Sequence, residues 1–390
     1  MCAVSVATVY CAQPILTQIG DDLDVPAGEL GWIVTAGQLG YLLGLGFLVP
    51  LGDMVDRRRL IAAQLLLTAA GAVIAATAAR TWVLLTGVVL AGLFAVVVQT
   101  TVAYAAALSA PRQRGRTLGV VTSGVVVGIL GARIVAGALA TAWGWRSVYA
   151  ASAVLLVALA GLVLIRLPGE TRVGHTSYTQ VLRASSTLFG DRLLLSRGLI
   201  AFFLFASFGT LWSGLALPLA ASPWHFDTAR IGLFGLAGLA GALGAGRAGR
   251  WADRGFARPV TGAALVLLAV SWAATAQAEW SLWLLVGGVV VLDFAVQAVH
   301  VGNQHVLTAS HPDRTSSIIG TYMLFYSVGS ALGAAATTAA YSAAGWTGSS
   351  VLGAAFAIGG FAVWAITDGR PRVIRNREAA VVRSPITSST

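Results

Sequence analysis

Uncharged apolar runs of about twenty residues, the length that carries a helix across roughly 30 Å of hydrocarbon, recur from one end of this sequence to the other. Within lipid no water satisfies a free backbone N–H or C=O, so only helices and closed barrels cross. Barrel strands would alternate apolar and polar residues over roughly ten-residue segments, whereas these runs are continuous Ala, Leu, Val and Gly. The reading is an all-α membrane protein of twelve transmembrane helices. Six are expected near 1–19, 28–52, 60–79, 82–106, 117–140 and 147–165. After a polar stretch from Arg166 to about Leu195, six more follow near 197–219, 229–252, 259–277, 280–306, 316–340 and 347–367. The chain thus divides into a six-helix bundle over 1–165, a cytoplasmic loop over 166–196, a second bundle over 197–367 and a basic cytoplasmic tail over 368–390.

Charge placement orients this arrangement. Only 10% of residues are charged, against roughly 25% in a soluble domain. All 25 basic residues are Arg, and with 15 acids they leave a net +10. With the N-terminus in the cytoplasm, Arg57 to Arg59, Arg112, Arg114, Arg116, the group from Arg166 to Arg197, Arg250, Arg254, Arg258, Arg314 and the tail arginines all fall inside. Only Arg80, Arg146 and Arg230 fall outside. Both termini are therefore expected in the cytoplasm. The basicity reads as a topological signal with affinity for anionic headgroups, not as a nucleic-acid footprint. No basic leader or small-residue cleavage site precedes the first run, which reads as a spanning helix. Only about ten apolar residues precede Pro14, fewer than a crossing needs. Either the first helix runs on to about Ile19 or the true start lies upstream of Met1. Cys2 and Cys11 lie in that same run and read as buried free thiols.

The sequence also matches itself at an offset of 200 or 201. Gly31, Gly37 and Gly40 fall on Gly232, Gly238 and Gly241, Asp53 on Asp253, Pro111 on Pro312, Gly119 on Gly320, and Gly144-Trp145 on Gly345-Trp346. Two halves related by an axis along the membrane normal are expected.

The loop VPLGDMVDRRRLI, from Val49 to Ile61, resembles the signature that the major facilitator superfamily carries between its second and third helices, roughly G-x-x-x-D-R-x-G-R-R. Asp53 stands at its acidic position and Arg57 and Arg58 at basic ones, with Val49, Met54 and Asp56 at the departures. The second half repeats it as GRWADRGFAR, with Gly249, Asp253, Arg254 and Arg258. The resemblance covers essentially the whole chain and implies a gate, in which an Asp at a helix end pairs with Arg side chains. The same arginines also serve topology alone. In the fifth helix Gly115, Gly124, Gly128 and Gly137 resemble the glycine pattern of the family's drug–proton antiporters, although Gly128-Ile129 and Ala132-Arg133 stand where that pattern has Gly-Pro and Gly-Gly. Helix packing alone would equally use such glycines.

An ionisable residue within hydrocarbon costs several kcal/mol and marks a candidate site. Asp293 is the one acid placed near mid-membrane, and it either carries a coupling proton or makes a packing hydrogen bond or an ion pair with Arg133. Gln297, His300 and Gln304 follow at spacings of four, three and four, on one helix face. The resemblance implies that helices 1, 4, 7 and 10 line a central cavity, so this stripe would face the substrate path, with His300 as a proton relay or a structural group. Arg133 reads as an anion binder or as the partner of Asp293. Tyr10, Gln13, Gln99, Phe205, Phe208, Trp212, Tyr322 and Tyr326 complete the cavity candidates, suited to an amphipathic or aromatic solute.

There is no phosphate-binding G-x-x-x-x-G-K-[ST] loop, no Cys/His cluster at metal spacing and no G-x-S-x-G turn. No cofactor, metal or enzymatic activity is expected. The resemblance implies a bacterial inner-membrane secondary transporter, sufficient as a monomer, that exports a drug, sugar or secondary metabolite against protons. Proton-coupled uptake or facilitated diffusion of a metabolite is the alternative, and a membrane enzyme or a transporter-like receptor the remote ones. The orientation is testable in a background where Cys2 and Cys11 are Ala. A cysteine at Arg80 should react with a membrane-impermeant maleimide in intact cells and one at Arg116 only after permeabilisation. The reverse pattern would invert the topology.

Overall fold

The computed structural model of the chain describes residues 1–108, 114–169, 178, 187–244, 257–310 and 315–367, and every regular element among them is helical. Helix α1 (Cys2–Tyr10) gives way at Pro14 to a 3-10 turn, Gln13–Ile15, because proline offers no N–H and crowds the preceding turn. The crossing resumes as α2 (Leu16–Leu23), past the expected Ile19, and stops at Asp24, whose φ of 52° is left-handed. Helices α3 (Gly31–Phe47) and α4 (Arg57–Ala76) follow; the Asp56 carboxylate caps α4, accepting from Arg58 N at 3.0 Å. The fourth crossing is broken at Ala95 into α5 (Thr81–Phe94) and α6 (Val97–Leu108), and α7 (Arg114–Trp143) and α8 (Trp145–Arg166) complete the first half.

In the second half α9 (Arg192–Gly214) starts ahead of the expected 197, because Asp191 caps it on Leu194 N at 2.8 Å. It continues through α10 (Ala216–Ala220) to α11 (Thr228–Gly244), α12 (Ala257–Thr275), α13 (Leu282–Ser310) and α14 (Thr315–Thr367). The helices expected at 316–340 and 347–367 run together in α14, with non-helical dihedrals at Ala344 and Gly345. Among the described residues nine helices are long and apolar enough to cross a membrane, and Val127–Trp143 and Thr228–Gly244 are shorter apolar helices. Trp82, Trp143, Trp280 and Trp283 stand exposed at one end, as interfacial tryptophans do. The loop with Arg57 to Arg59 is at the other.

The internal repeat is visible as repeated contacts. A Cβ on Gly40 would lie 2.2 Å from Val89 O and 3.0 Å from Leu93 N, and one on Gly241 would lie 2.2 Å from Val290 O and 3.0 Å from Phe294 N. Every member of the second set is offset by 201 from the first. Gly144 (φ 79°) and Gly345 (φ 61°) both take left-handed backbone that a side chain would strain, each ahead of a buried Trp.

Two seams join the halves, α3 against α14 and α7 against α11. In the first, a Cβ on Gly31 would fall 2.1 Å from Ala334 O, Gly31 N donates to Thr338 Oγ1 (3.2 Å) and Thr35 Oγ1 to Ala331 O (3.0 Å). In the second, a Cβ on Gly232 would fall 2.5 Å from Arg133 O, and the Thr141 and Thr228 hydroxyls meet at 2.8 Å. Backbones this close leave no room for a methyl group, and overpacking a fitted contact costs about 1–3 kcal/mol. Gly40→Ala and Gly241→Ala should therefore each lower the thermal unfolding temperature in detergent. Gly46→Ala and Gly161→Ala, with nothing within 4 Å of the added atom, should not.

Candidate functional site

Between the halves lies a cavity of about 220 Å³. From the first half, α1 contributes Val6, Val9 and Tyr10, α3 Tyr41, α6 Val98, Gln99 and Val102, and α7 Val125, Ile129 and Leu130. From the second, α9 contributes Phe205 and Phe208, α13 the row Asp293, Gln297, His300, Val301 and Gln304, and α14 Ile319, Met323 and Tyr326. The four polar residues of α13 share a wall because their spacings return to one side of a 3.6-residue helix.

Of the four polar residues of the α13 row, Asp293 is the one nearest the tryptophan end. It is 1% exposed; neither carboxyl oxygen makes a well-formed hydrogen bond among the described residues, but the Trp212 indole N–H and the Arg133 guanidinium both act on it. Gly238 makes room for it: a Cβ there would lie 3.1 Å from Asp293 Oδ2 and 2.7 Å from Trp212 Cζ2. A buried carboxyl without a well-formed hydrogen bond forfeits about 1–3 kcal/mol or more.

Arg133 is as deeply buried, at 1%, and the ion pair with Asp293 is not the contact that holds it. Its Nε and Nη2 donate to Gln13 Oε1 (3.1 and 2.7 Å), Nη1 donates to Ile129 O (3.0 Å), and the guanidinium carbon stacks 3.8 Å from the Trp212 ring centroid. A desolvated cation–π contact is worth about 2 kcal/mol. By contrast the half-exposed Arg146–Asp22 pair, 2.7 Å apart, is worth about 1 kcal/mol or less. Gln13 Nε2 reaches Ser213 Oγ at 3.4 Å, and the Tyr10 and Tyr326 hydroxyls are hydrogen-bonded to each other. These contacts link the halves and close the cavity toward the tryptophan end. Gln13, Arg133 and Trp212 were expected on the cavity wall; they lie instead behind the Tyr10–Tyr326 pair, around a small separate pocket with Pro14, Leu215, Ala216 and Ile231.

Tyr322 also departs from expectation. It is fully buried off the cavity and pairs with His300 Nδ1 at 3.0 Å, while Gln304 Nε2 meets His300 Nε2 at 3.0 Å. His300 is thus fixed at both ring nitrogens, with Phe205 edge-on at 5.2 Å. Gln99 is held by Tyr41 (3.3 Å).

At the arginine end Arg57 is buried and turns back onto Gly52 O (2.9 Å), Arg58 donates to Leu164 O, and Arg59 lies 3.8 Å from Asp56. Asp56, a departure from the gate signature, is the acid seen in contact here. The side chain of Asp53 and all of Gly249, Asp253 and Arg254 lie outside the described residues; Arg258 sits in the first turn of α12. Of the α7 glycines, a Cβ on Gly128 would strike Ala3 Cα at 2.4 Å and one on Gly137 would strike Thr228 O at 2.3 Å. Gly124 has nothing within 4 Å, so its expected packing role is not seen, and the surroundings of Gly115 lie outside the described residues. Among the described residues no three His, Cys, Asp or Glu side chains gather as a metal site.

Sequence reasoning missed Tyr41, Ser213 and Gly238. The repeat held a signal for Gly238, and it also singles out the charges: Asp293 stands where the first half has Gly92, and Arg133 where the second half has Ala334.

Comparison with known proteins agrees with this architecture. The chain is 42% identical over 362 residues to the uncharacterized transporter YgaY of Escherichia coli O157:H7, covering 93% of this chain and 92% of that one. It is 28% identical over 192 residues to multidrug resistance protein D of Escherichia coli (strain K12), covering 47% and 46%. The fold matches a crystal structure of a bacterial homologue of the human lysosomal transporter Spinster, in an inward-facing and occupied conformation, with a TM-score of 0.78, 16% identity and 94% of each chain covered. The family model for the Major Facilitator Superfamily matches residues 1–247 and 198–389, and this chain, a multi-spanning membrane transporter, belongs to that superfamily.

Proposed function

We propose that the protein exports a small organic molecule across the bacterial cytoplasmic membrane in exchange for protons. The observation that carries this reading is Asp293: an acid with no well-formed hydrogen bond, buried beside Trp212 at the tryptophan-side end of a cavity shared by both halves. A carboxyl that is charged in one access state and neutral in the other stores one proton per cycle, which a buried packing group would not need. Transport then proceeds by rocking of two six-helix bundles, 1–165 and 197–367, about the α3–α14 and α7–α11 seams. Twelve crossings follow if α14 is counted as two helices about Gly345 and the two shorter apolar helices are added to the rest. Both termini face the cytoplasm in this reading, and one copy suffices because the whole cavity comes from a single chain.

Export is favoured over uptake by the glycine pattern of α7 and by the likeness to multidrug resistance protein D. The contacts between Gly31 and Ala334, Thr141 and Thr228, and Arg133 and Trp212 gather toward the tryptophan end. They support a state closed to the exterior, in which the site loads from the cytoplasm.

In proteoliposomes carrying an inward-directed proton gradient, a panel of amphipathic drugs and sugars should include a compound that the wild type moves with a measurable proton flux. Asp293→Asn should abolish that flux. Normal coupling in this variant would make Asp293 structural, and solute equilibration without proton movement would make the protein a uniporter. A second outcome concerns the seal. Arg133→Lys keeps the charge but loses the flat face on Trp212 and the paired donors to Gln13. A cysteine at Ser213 should then gain reactivity toward an impermeant maleimide from outside by about tenfold or more, as expected from losing about 1.4 kcal/mol of closure. Unchanged labelling would remove Arg133 from the seal.

A further inference from the structure

The geometry points to the substrate class: the cavity is built for a lipophilic monocation, a protonated amine on an apolar or aromatic body, whose ammonium is taken by Asp293. This rests on the proposal that the cavity is the transport site, and it is separable from proton exchange. Three observations carry it.

First, the polar groups on the cavity wall are unequally committed. Gln99 is held by Tyr41, and Gln304 by His300, which is itself held by Tyr322. Asp293 and, one turn on, Gln297 line the cavity outside these pairs; of the two Asp293 is nine-tenths buried, with neither oxygen in a well-formed hydrogen bond and with the Trp212 indole and the Arg133 charge beside it. A polyol would need many convergent donors and acceptors, and this wall offers few that are not already bonded to each other.

Second, the compensating cation is withheld. Arg133 does not line the cavity; its Nε, Nη1 and Nη2 donate to Gln13 and Ile129 and its face lies on Trp212. An anion in the cavity would meet the carboxylate before the guanidinium. The positive charge of Arg133, 3.8 Å from the Trp212 ring and 5.8 and 5.7 Å from those of Tyr10 and Phe208, still acts through space on Asp293 and weakens a cation there, so the preference for one is smaller than an unopposed carboxylate would give.

Third, the rest of the closed end is aromatic. Phe205 contacts both Phe208 and Tyr326, with ring centroids 5.8 and 3.9 Å apart, and Tyr10 reaches Tyr326 through their hydroxyls. Aromatic faces beside a carboxylate favour an alkylammonium through cation–π attraction and give an apolar body a surface to bury. The ammonium would donate hydrogen bonds to Oδ1 and Oδ2, neither of which is in a well-formed bond within the chain.

The test is isothermal titration of the purified full-length protein in detergent with 4-phenylbutylamine, and with 4-phenylbutanol and 4-phenylbutanoate as neutral and anionic counterparts. The amine should bind at least about tenfold more tightly than the alcohol, the size of one charge-assisted hydrogen bond. Asp293→Asn should bring the amine down to the level of the alcohol, and Asp293→Glu should keep the preference. If the Asn variant does not fold, the wild-type comparison of amine and alcohol decides alone. Equal binding of amine and alcohol would overturn the assignment, as would preferred binding of the carboxylate that Arg133→Gln removes. Amine preference without any proton flux would leave the substrate class standing and refute antiport. Asp293-dependent proton flux without amine preference would do the opposite.

Discussion

Arg133 has no water to fall back on, and the closed end of the cavity depends on how its charge is accommodated. A guanidinium in hydrocarbon must find acceptors for its N–H groups and a polarisable face for its charge. It finds the acceptors in Gln13 and the Ile129 carbonyl, and the face in Trp212. Gln13 belongs to the first half and Trp212 to the second, so satisfying one side chain fixes the two halves against each other. The backbone beneath takes part as well: the Arg133 carbonyl is the atom against which Gly232 packs.

The duplication explains why that fixing is lopsided. Where the halves agree, they make the same contact twice, as Gly40 does with Val89 and Gly241 with Val290. Such positions build the scaffold and carry no directional information. Where they disagree, a small residue in one half faces a charge in the other: Gly92 against Asp293, and Ala334 against Arg133. Gly92 packs directly on the Gly37 carbonyl, whereas Asp293 needs Gly238 to stay small so that its carboxyl and the Trp212 ring fit. A chain symmetric throughout would have two equivalent seams, with no charge set apart on either side of the cavity.

Much of this is legible in the order of residues along the chain. Hydrocarbon forces helices, arginines mark loops, and a 200-residue offset exposes the repeat, so the helical class and most element positions follow from residue types and spacing. The α13 stripe is also readable, because helical periodicity alone puts Asp293, Gln297, His300 and Gln304 on one side. The ends of elements are less so. That the first crossing continues past Pro14 to Leu23 depends on a local 3-10 turn, and the early start of α9 depends on a cap by Asp191. Side-chain partners are the least legible. Whether Arg133 turns toward Asp293 or toward Gln13, and whether Tyr322 faces the cavity or backs His300, is decided by contacts between segments more than a hundred residues apart in the first case and by neighbouring helices in the second.

The composition of the seams bears on motion. Interdigitated leucines would have to disengage before two bundles could rock, and a fitted core is bistable rather than deformable. The seams here instead bring backbone to backbone at Gly31 and Gly232 and use Thr and Ser hydroxyls across the gap. Hydrogen bonds of this kind in membranes are worth about 0.6 kcal/mol each on average. A handful of such bonds holds a state without trapping it, which is what the proposed rocking between two conformations requires. In the proposed cycle, one proton or one ammonium at Asp293 would act where Trp212 and Gly238 touch the same space as the Arg133 stack, and a shift of a few kcal/mol there would be enough to change which conformation is populated.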